Sequence, residues 1–316
     1  MQAQLIALDW GTSSLRAYKL GPAGVVLERR TLASGIMHLP SEARVIAGVL
    51  CCDGFELAFD AACGDWLDAQ PTLPVIACGM VGSAQGWSEA AYRDTPADVA
   101  TLGQALHVVR SLRGVDVHIV PGVIQRDGLP NVMRGEETQI LGALRLHPAL
   151  ARGHHLFCLP GTHAKWVAVE NGAVTQFQTA LSGELFELLR RHSVLARDGG
   201  EVDKDSAALT RGLDFVRANP DTDLLHLLFS TRARVVTGDM AKSDAASYLS
   251  GLVLGKDIAT ALKLFDRDGP VQLICTPALA ALYGRVLKAY DVPAAVIDGD
   301  AAALAGLVHA HAEIFS

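Results

Sequence analysis

Two short Gly-Thr turns, about half the chain length apart, carry the residue types best suited to binding phosphate. Gly11-Thr12 and Gly161-Thr162 each follow an apolar run, and the surrounding segments 5–31 and 155–181 repeat one order of strand, turn, strand, turn and strand. A glycine turn lets backbone N–H groups and nearby hydroxyls converge on one anion. The repeat therefore predicts two similar half-domains, with Thr12, Ser13 and Thr162 holding phosphate oxygens across a shared cleft.

Only the first copy has a carboxylate beside its turn. Asp9 ends the apolar run of the first copy, and Leu159 takes the corresponding place in the second. A carboxylate there is poorly solvated unless it faces a cation, and phosphoryl transfer needs Mg²⁺ on the β- and γ-phosphate oxygens. We expect Asp9 to orient Mg²⁺ through water, and an Asp that merely caps the turn is the alternative.

The elements that must position these turns follow an alternating α/β order. Helical spacing at 41–69 and 97–113 alternates with strands at 74–83 and 115–123. Beyond the second copy, helical patterns near 183–197, 205–217, 222–236 and 244–265 lead to strands at 271–275 and 293–297, with helices near 277–290 and from about 300. The segment 251–257 falls one residue short of a P-loop and ends in Asp, so we predict it to be helix.

Composition excludes several other classes of protein. The chain has 316 residues, of which 50% are hydrophobic and 19% charged, and its net charge of −7 provides no basic field for nucleic acid. Its six cysteines show no CxxC spacing, so neither a zinc site nor a disulfide framework is indicated. No apolar run reaches the length of a membrane span. We expect a cytoplasmic protein.

Five ordered sequence blocks resemble one enzyme family. They are ALDWGTSSLRAY at 7–18, GMVGSAQGW at 79–87, NVMRGEETQILGA at 131–143, LPGTHAKWV at 159–167 and SGELFELL at 182–189. The first is similar to the first phosphate motif of the actin/hexokinase/heat-shock-ATPase superfamily, and together the five resemble 2-dehydro-3-deoxygalactonokinases. The resemblance covers the chain from about residue 5 to its C-terminus.

The resemblance implies a fold and a reaction. The fold is α/β, with two similar lobes of actin/hexokinase (ribonuclease H-like) type, mixed sheets flanked by helices, and the nucleotide in the cleft between the lobes. We place the N-terminal lobe at 1–134 and the C-terminal lobe at 135–316. The reaction is phosphorylation of 2-dehydro-3-deoxy-D-galactonate at its 6-hydroxyl by Mg·ATP during galactonate breakdown.

The resemblance also implies roles for charged and polar residues. Glu136 is expected to be the base that receives the substrate hydroxyl proton, with Glu137 as the second candidate, although carboxylates in the first turn of a helix are also common for stability alone. The full set of expected phosphate contacts is Gly11, Thr12, Ser13, Arg16, Gly161, Thr162, His163 and Lys165. His163 could equally brace its loop.

The remaining expected contacts concern the sugar acid and adenosine. The substrate carboxylate needs a donor-rich patch, for which we favour Gly82, Ser83 and Arg134. Backbone N–H groups of the loop 79–86 are expected to contribute, and Arg232 is interpreted as a solvated surface charge. The adenosine side is expected at Thr276, Gly299 and Asp300, although Cys275-Thr276-Pro277 departs from the glycine usual in the family.

Two other functions remain open from the sequence. The chain could be a kinase for another sugar acid, such as the gluconate epimer, or a nucleotide-gated ATPase switch of the same fold. In every case we expect small-molecule partners, with ATP and Mg²⁺ as cofactors and without nucleic acid or membrane. Homo-oligomerisation is left open.

Overall fold

The computed structural model describes residues 1–197 and 199–315. The strands are β1 Leu5–Trp10, β2 Leu15–Leu20, β3 Val26–Leu32, β4 Arg44–Ile46, β5 Val49–Cys51, β6 Val75–Cys78, β7 Tyr92–Asp94, β8 Ala97–Asp98, β9 His107–Arg110, β10 Asp116–Ile119, β11 Gly122–Gln125, β12 Asn131–Met133, β13 His154–Leu159, β14 Ala164–Glu170, β15 Ala173–Ala180, β16 Val271–Cys275 and β17 Ala294–Asp298. The helices are α1 Gly54–Ala69, α2 Glu136–Leu146, α3 Ser182–His192, α4 Ala207–Ala218, α5 Leu224–Val236, α6 Ala245–Leu264, α7 Pro277–Ala289 and α8 Gly299–Phe315.

The chain divides into two compact units. Unit 1 comprises Met1–Gly153, Glu170–Gln176 and Gly299–Ser316, and unit 2 comprises His154–Val169 and Phe177–Asp298. The structure thus differs from the predicted division at 134/135, because α2 and α8 both belong to unit 1. Tight helix packing explains this: a Cβ at Gly142 would lie 1.7 Å from the carbonyl oxygen of Ala302.

The main sheet of unit 1 contains the first copy of the repeat. Its strand order is β3-β2-β1-β6-β10-β9, with β1 antiparallel to β2 and parallel to β6. The smaller sheet β12-β11-β7 and the hairpin β4-β5 belong to the same unit. Apolar side chains of β1 and α1 share a core that includes Leu8, Phe59 and Trp66. This core fixes the end of β1, where Asp9 lies.

The sheet of unit 2 contains most of the second copy, whose residues Glu170–Gln176 belong to unit 1. Its strands are ordered β17-β16-β13-β14-β15, and β13, β16 and β17 run parallel. The strand β16 and the helices α6 and α7 bury one core that includes Phe265, Leu273 and Val286. The predicted fold class of two α/β units with mixed sheets and flanking helices is confirmed.

Two predicted helical stretches are wrong in part. Within 41–69 only α1 is helical, because residues 44–51 form the hairpin β4-β5 around Ala47-Gly48, both of which have positive φ. The stretch 97–113 contains a short 3-10 helix, Val99–Ala105, followed by β9. In both places the apolar spacing fits a strand as well as a helix over so few residues. None of the helices described within 1–197 and 199–315 has the length and apolarity that a membrane span requires.

Candidate functional site

The first turn, residues 11–14, is a loop held from behind by its own unit. Its Thr12 and Ser13 are exposed, and the Gly11 N–H donates to the Ser14 carbonyl oxygen at 3.0 Å. Gly35 packs directly on this backbone, since a Cβ there would lie 2.3 Å from the Ser13 carbonyl carbon. The turn therefore presents its hydroxyls outward on a rigid base.

Asp9 lies beside this turn in a network of four charges. Its Oδ2 accepts from Arg16 Nη1 at 2.6 Å, and the same nitrogen lies 3.5 Å from Asp300 Oδ1. Arg29 Nη2 donates to Asp300 Oδ2 at 2.7 Å. Burial raises the pKa of Asp9, Arg16 opposes that rise, and the negative charge of Asp300 adds to it. Two carboxylates thus share one guanidinium at the end of β1.

The second turn, residues 161–163, is supported in the same manner in unit 2. All three of its residues are exposed. A Cβ at Gly183 would lie 2.3 Å from the Gly161 carbonyl oxygen, and the Glu184 N–H donates to the Thr162 carbonyl oxygen at 2.9 Å. The dipeptide Ser34-Gly35 near the first turn is matched by Ser182-Gly183 near the second, and each glycine allows the chain to pack closely against its turn.

The charged side chains of the second turn are engaged locally. His163 pairs with Glu184, which braces the loop. Lys165 is buried, and its Nζ donates to the His163 carbonyl oxygen at 3.0 Å. The second turn has Leu159 where the first has Asp9, and that leucine is buried.

The glycine in each turn is not required by the protein around it. Within the described chain, a Cβ at Gly161 would meet nothing within 4 Å, and one at Gly11 would meet only the Ser14 carbonyl oxygen at 3.8 Å. Neither residue has a positive φ. Open space over both glycines suits close approach of a ligand to the backbone.

Three loops of unit 1 meet at the end of β1 because glycines allow their backbones to touch. A Cβ at Gly79 would lie 2.8 Å from the Trp10 carbonyl oxygen, and one at Gly135 would lie 3.2 Å from Gly79 Cα. Both glycines have positive φ, 91° and 110°. The structure therefore brings the segments that contain Asp9, Ser83 and Glu136 to one edge of the unit.

The two carboxylates at the start of α2 have different surroundings. Glu137 is fully buried, and both its oxygens accept from the Gly135 N–H, at 2.9 and 2.8 Å. Burial, together with the charge of Glu136, raises the pKa of Glu137 to about 7. Glu136 is half-buried, and its Oε2 accepts from the Arg134 N–H at 2.9 Å.

Arg134 and Ser83 form a buried cluster with unused donors. Arg134 is 7% exposed, its Nη2 donates to the Ala90 carbonyl oxygen at 2.7 Å, and its guanidinium stacks 4.2 Å from the centre of the Tyr92 ring. Its Nε and Nη1, and the hydroxyl of Ser83, have no hydrogen-bond partner among the residues that the structure describes. Burying such donors without a hydrogen-bond partner costs free energy, so this cluster is suited to binding an anion or water.

The backbone of the adjacent loop is less available than expected. The N–H groups of Gly82 and Ser83 donate to the carbonyl oxygens of Gly79 and Met80, at 3.1 and 3.0 Å, so they are paired within the loop. Gly82 instead leaves room for the side chain of Arg134, since a Cβ at Gly82 would lie 3.1 Å from Arg134 Nη1. These two N–H groups are therefore used within the loop, and the contribution of the loop 79–86 to ligand binding stays a prediction.

The residues expected on the adenosine side are divided between the units. Thr276 is exposed and precedes α7 in unit 2, whereas Gly299 and Asp300 begin α8 in unit 1. Gly299 accepts from Gln139 through its carbonyl oxygen, at 3.3 Å. Asp300 belongs to the network around Asp9.

Within the ranges 1–197 and 199–315, no group of three or more His, Cys, Asp or Glu side chains is arranged to hold a metal ion.

Sequence reasoning missed two residues near these turns. Arg29 joins Asp300 over a separation of 271 residues, which no local pattern could signal. Asp257 contacts Trp166 in the strand after the second turn. A carboxylate inside an otherwise apolar helix was the available signal for Asp257.

Comparisons with known proteins give one consistent result. The profile of the family described as 2-keto-3-deoxy-galactonokinase matches residues 9–310. The "Probable 2-dehydro-3-deoxygalactonokinase DgoK1" of Rhizobium meliloti (strain 1021) is 39% identical over 95% of this chain and 94% of its own. The 2-dehydro-3-deoxygalactonokinase of Escherichia coli (strain K12) is 33% identical over 97% of both chains. A crystal structure from Sinorhizobium meliloti that carries the same enzyme name superposes with a TM-score of 0.86 at 36% identity, covering 98% of this chain and 99% of that one.

Proposed function

The chain belongs to the 2-keto-3-deoxy-galactonokinase family, and from this premise we propose that it phosphorylates 2-dehydro-3-deoxy-D-galactonate at the 6-hydroxyl with ATP. The products are ADP and 2-dehydro-3-deoxy-6-phospho-D-galactonate, formed in galactonate catabolism. The observation that carries the choice of a sugar acid is the buried cluster of Arg134 and Ser83, whose Nε, Nη1 and hydroxyl donors are unused in the described chain.

The Arg134 cluster suits the carboxylate of the substrate. A guanidinium removed from water binds a carboxylate through charge-assisted hydrogen bonds, which are stronger than those to a neutral hydroxyl. Tyr92 holds one face of the Arg134 guanidinium and Ala90 takes one of its N–H groups, so its direction is fixed before the substrate arrives. Because these donors are closed to solvent, the side chains that cover them shift when the carboxylate enters.

Glu136 is the better candidate for the base. Glu137 is fully buried, and its oxygens already accept hydrogen bonds from the Gly135 N–H and the Thr138 hydroxyl, so it has the less accessible carboxylate. Glu136 is half-buried in the same turn. In the proposed step Glu136 receives the proton of the 6-hydroxyl, the oxygen forms its bond to the γ-phosphorus, and the bond from that phosphorus to ADP breaks.

The charge network of unit 1 fits a Mg²⁺ ion bound through water. Asp9 and Asp300 offer hard carboxylate oxygens around one guanidinium, beside a turn with exposed hydroxyls. When bound with ATP, Mg²⁺ neutralises charge on the phosphate oxygens. Asp9 would orient the water molecules bound to Mg²⁺. Arg16 would then no longer pair with Asp9 and would pair with Asp300 or with phosphate.

Each of the two turns offers groups that would bind phosphate of ATP. Thr12 and Ser13 present hydroxyls at the first turn, and Thr162 does so at the second. The open space over Gly11 and Gly161 allows phosphate oxygens to approach backbone N–H groups. We place the reaction in the cytoplasm, with the sugar acid and ATP as the partners.

An ADP-release assay with purified protein tests the function. Mg·ATP is supplied with 2-dehydro-3-deoxy-D-galactonate, with its gluconate epimer, or with no sugar. We expect turnover that depends on the galactonate compound. Equal turnover on both epimers would indicate a broader sugar-acid kinase, and release of ADP regardless of sugar would favour an ATPase switch.

Substitution of Arg134 tests the carboxylate pocket. Arg134→Gln should raise the KM for the sugar acid about 100-fold, since a charge-assisted hydrogen bond is worth roughly 1.5–3 kcal/mol, and leave the KM for ATP within about threefold. The exposed Arg126, which pairs with Asp94, provides the matched control Arg126→Gln. An unchanged sugar KM in Arg134→Gln would remove Arg134 from substrate binding.

A further inference from the structure

A buried carboxyl group lies behind the second turn and has no role in the proposed reaction. It belongs to Asp257 in α6, within the segment whose sequence falls short of a P-loop. Its Oδ1 accepts from the indole Nε1 of Trp166 at 2.9 Å, and its Oδ2 is closed to solvent. Burial raises the pKa of Asp257 to about 6, while Ser182 and then Trp166 favour the ionised form. At neutral pH this carboxyl is an anion in the interior of unit 2.

The groups that face Asp257 come from four elements. They are the thiol of Cys158 in β13, the indole of Trp166 in β14, the hydroxyl of Ser182 in α3 and the phenol of Tyr283 in α7. Burial raises the pKa of both Cys158 and Tyr283, so both are neutral at physiological pH. Among the described residues, the groups that favour the carboxylate are two neutral donors, the hydroxyl of Ser182 and the indole of Trp166.

Ser182 is the neighbour with an unused donor. Its hydroxyl and Asp257 Oδ2 are both buried, and neither has a hydrogen-bond partner among the residues that the structure describes. The Ser182 hydroxyl favours the ionised form of Asp257 and so lowers the pKa of that carboxyl, and it acts on the phenol of Tyr283 in the same direction. A hydrogen bond between Ser182 and Asp257 would satisfy both buried groups, and it requires the start of α3 to move inward.

Two of the neighbours of Asp257 lie on either side of the second turn. Trp166 is in the strand that begins directly after the turn. Ser182 is the first residue of α3, and the next two residues press on the turn through Gly183 and through the Glu184 N–H. The carboxyl thus binds the strand that leaves the turn through Trp166, and Ser182 is the group through which it would act on the helix that closes over the turn.

We propose that Asp257 is a positioning residue that holds the start of α3 against the second turn, through Ser182 and Trp166, and so keeps the turn in the shape that receives nucleotide phosphate. The proposal rests on the proposed function, in which that turn binds phosphate. An ionised carboxylate without a cation is an unfavourable occupant of a protein interior. Its interactions with both flanks of the turn account for its presence there.

The pH dependence distinguishes this role from simple stabilisation. Because the pKa of Asp257 is raised above its ordinary value of 3.8, its contribution to stability is complete below about pH 4 and is lost as the pH rises through about 6. The neutral Asp257→Asn protein should therefore unfold at the same or a higher temperature than the wild type at about pH 7.5. A residue that served stability alone would give a lower unfolding temperature when replaced.

Hydrogen exchange on the nucleotide-free protein tests the positioning directly. We expect the amides of Glu184 and Leu185, which bond to Thr162 and Leu181, to exchange about tenfold faster in Asp257→Asn, with other amides of unit 2 unchanged. The exposed Asp268 gives the matched control Asp268→Asn. Unchanged exchange at these two amides, or faster exchange throughout unit 2 with a lower Tm, would overturn the proposal.

Calorimetry with ADP and with adenosine tests the link to phosphate. Asp257→Asn should weaken ADP binding about tenfold, as expected when a hydrogen bond to a charged group is lost, and leave adenosine binding unchanged. Ser182→Ala should have the same effect, and the double variant should bind ADP no more weakly than either single variant. Unchanged ADP affinity in Asp257→Asn, or fully additive effects in the double variant, would show that Asp257 does not act on the turn through Ser182.

The two proposals fail in distinguishable ways. A wild type that turns over no sugar acid would remove the proposed kinase reaction. The exchange rates of Glu184 and Leu185 would still decide whether Asp257 positions the turn, because that measurement needs neither nucleotide nor sugar.

Discussion

The two Gly-Thr turns have the same backbone support but differ in the charged residues beside them. Each is pressed from behind by a glycine, Gly35 in unit 1 and Gly183 in unit 2, whose Cβ would lie 2.3 Å from the backbone of its turn. The first turn has Asp9 at its edge, shared by Arg16 with Asp300. The second has a leucine in that place and keeps its carboxyl, Asp257, behind the turn. The two copies thus have similarly supported turns, but only the first copy has a carboxylate on the side where we expect the metal.

This comparison predicts its largest effect at Asp9. Asp9→Asn keeps the size of the side chain but removes the charge that would orient the metal's water shell, so kcat should fall by about 10²–10³, the range observed for loss of one transition-state electrostatic contact. The Asp–Arg pair of Asp116 and Arg110 lies in the same sheet and is exposed. Asp116→Asn is therefore the control, with a kcat within about twofold of the wild type. Near-normal turnover in Asp9→Asn would show that Asp9 does not orient the metal's water shell.

The supporting glycines provide the next test. Gly183→Ala would force a methyl group against the Gly161 carbonyl oxygen, so we expect the free energy of unfolding to fall by about 1–3 kcal/mol in urea titrations. Gly284→Ala, in α7 with open space around it, should instead be neutral or stabilising by up to about 1 kcal/mol. Equal stability of the two variants would show that Gly183 does not support the turn by close contact.

Unit 1 also buries Glu137 near its turn, and this carboxyl offers a clearer pH test than Asp257. The pKa of Glu137 is about 7 in the folded protein against 4.5 in its ordinary state. Its contribution to stability is therefore complete below about pH 4.5 and lost as the pH rises through 7, by up to about 3 kcal/mol. Glu137→Gln should flatten the dependence of unfolding free energy on pH between about 5 and 7.

Glu136→Gln provides the contrast to that variant. It should lose most of kcat, because Glu136 is the proposed base. It should also move the pH-dependent loss of stability to lower pH without abolishing it, because the charge of Glu136 then no longer adds to the burial that raises the pKa of Glu137. If Glu137→Gln lost turnover and Glu136→Gln did not, the two roles would be exchanged.

Local sequence patterns predicted the repeat, its two Gly-Thr turns and the acidic residue beside the first turn. These features depend on residues within about 30 positions of each other, where strand alternation and turn composition are informative. The same patterns were wrong at 44–51, since a short apolar run around Ala47-Gly48 fits either a helix or a hairpin. They also placed the boundary at 134/135, because the packing of Gly142 on Ala302 joins segments about 160 residues apart.

The partners of the site charges were beyond local patterns for the same reason. Asp300 joins Asp9 through Arg16 only because α8 packs within unit 1. The burial of Arg134 depends on Ala90 and Tyr92, which precede it by more than one β-strand and loop. Residue type and family resemblance suggested what these residues do, and only tertiary packing showed which of their donors are already used.

The open space over Gly161 permits the most direct test of the claim that the turns bind phosphate. Gly161→Ala adds a methyl group where the protein has room, so the free energy of unfolding should be unchanged or higher by up to about 1 kcal/mol. The loop variant Gly269→Ala, also with open space, is the control. We predict that Gly161→Ala raises the KM for ATP about tenfold while Gly269→Ala leaves it unchanged. An unchanged KM for ATP in a fully folded Gly161→Ala protein would contradict the account.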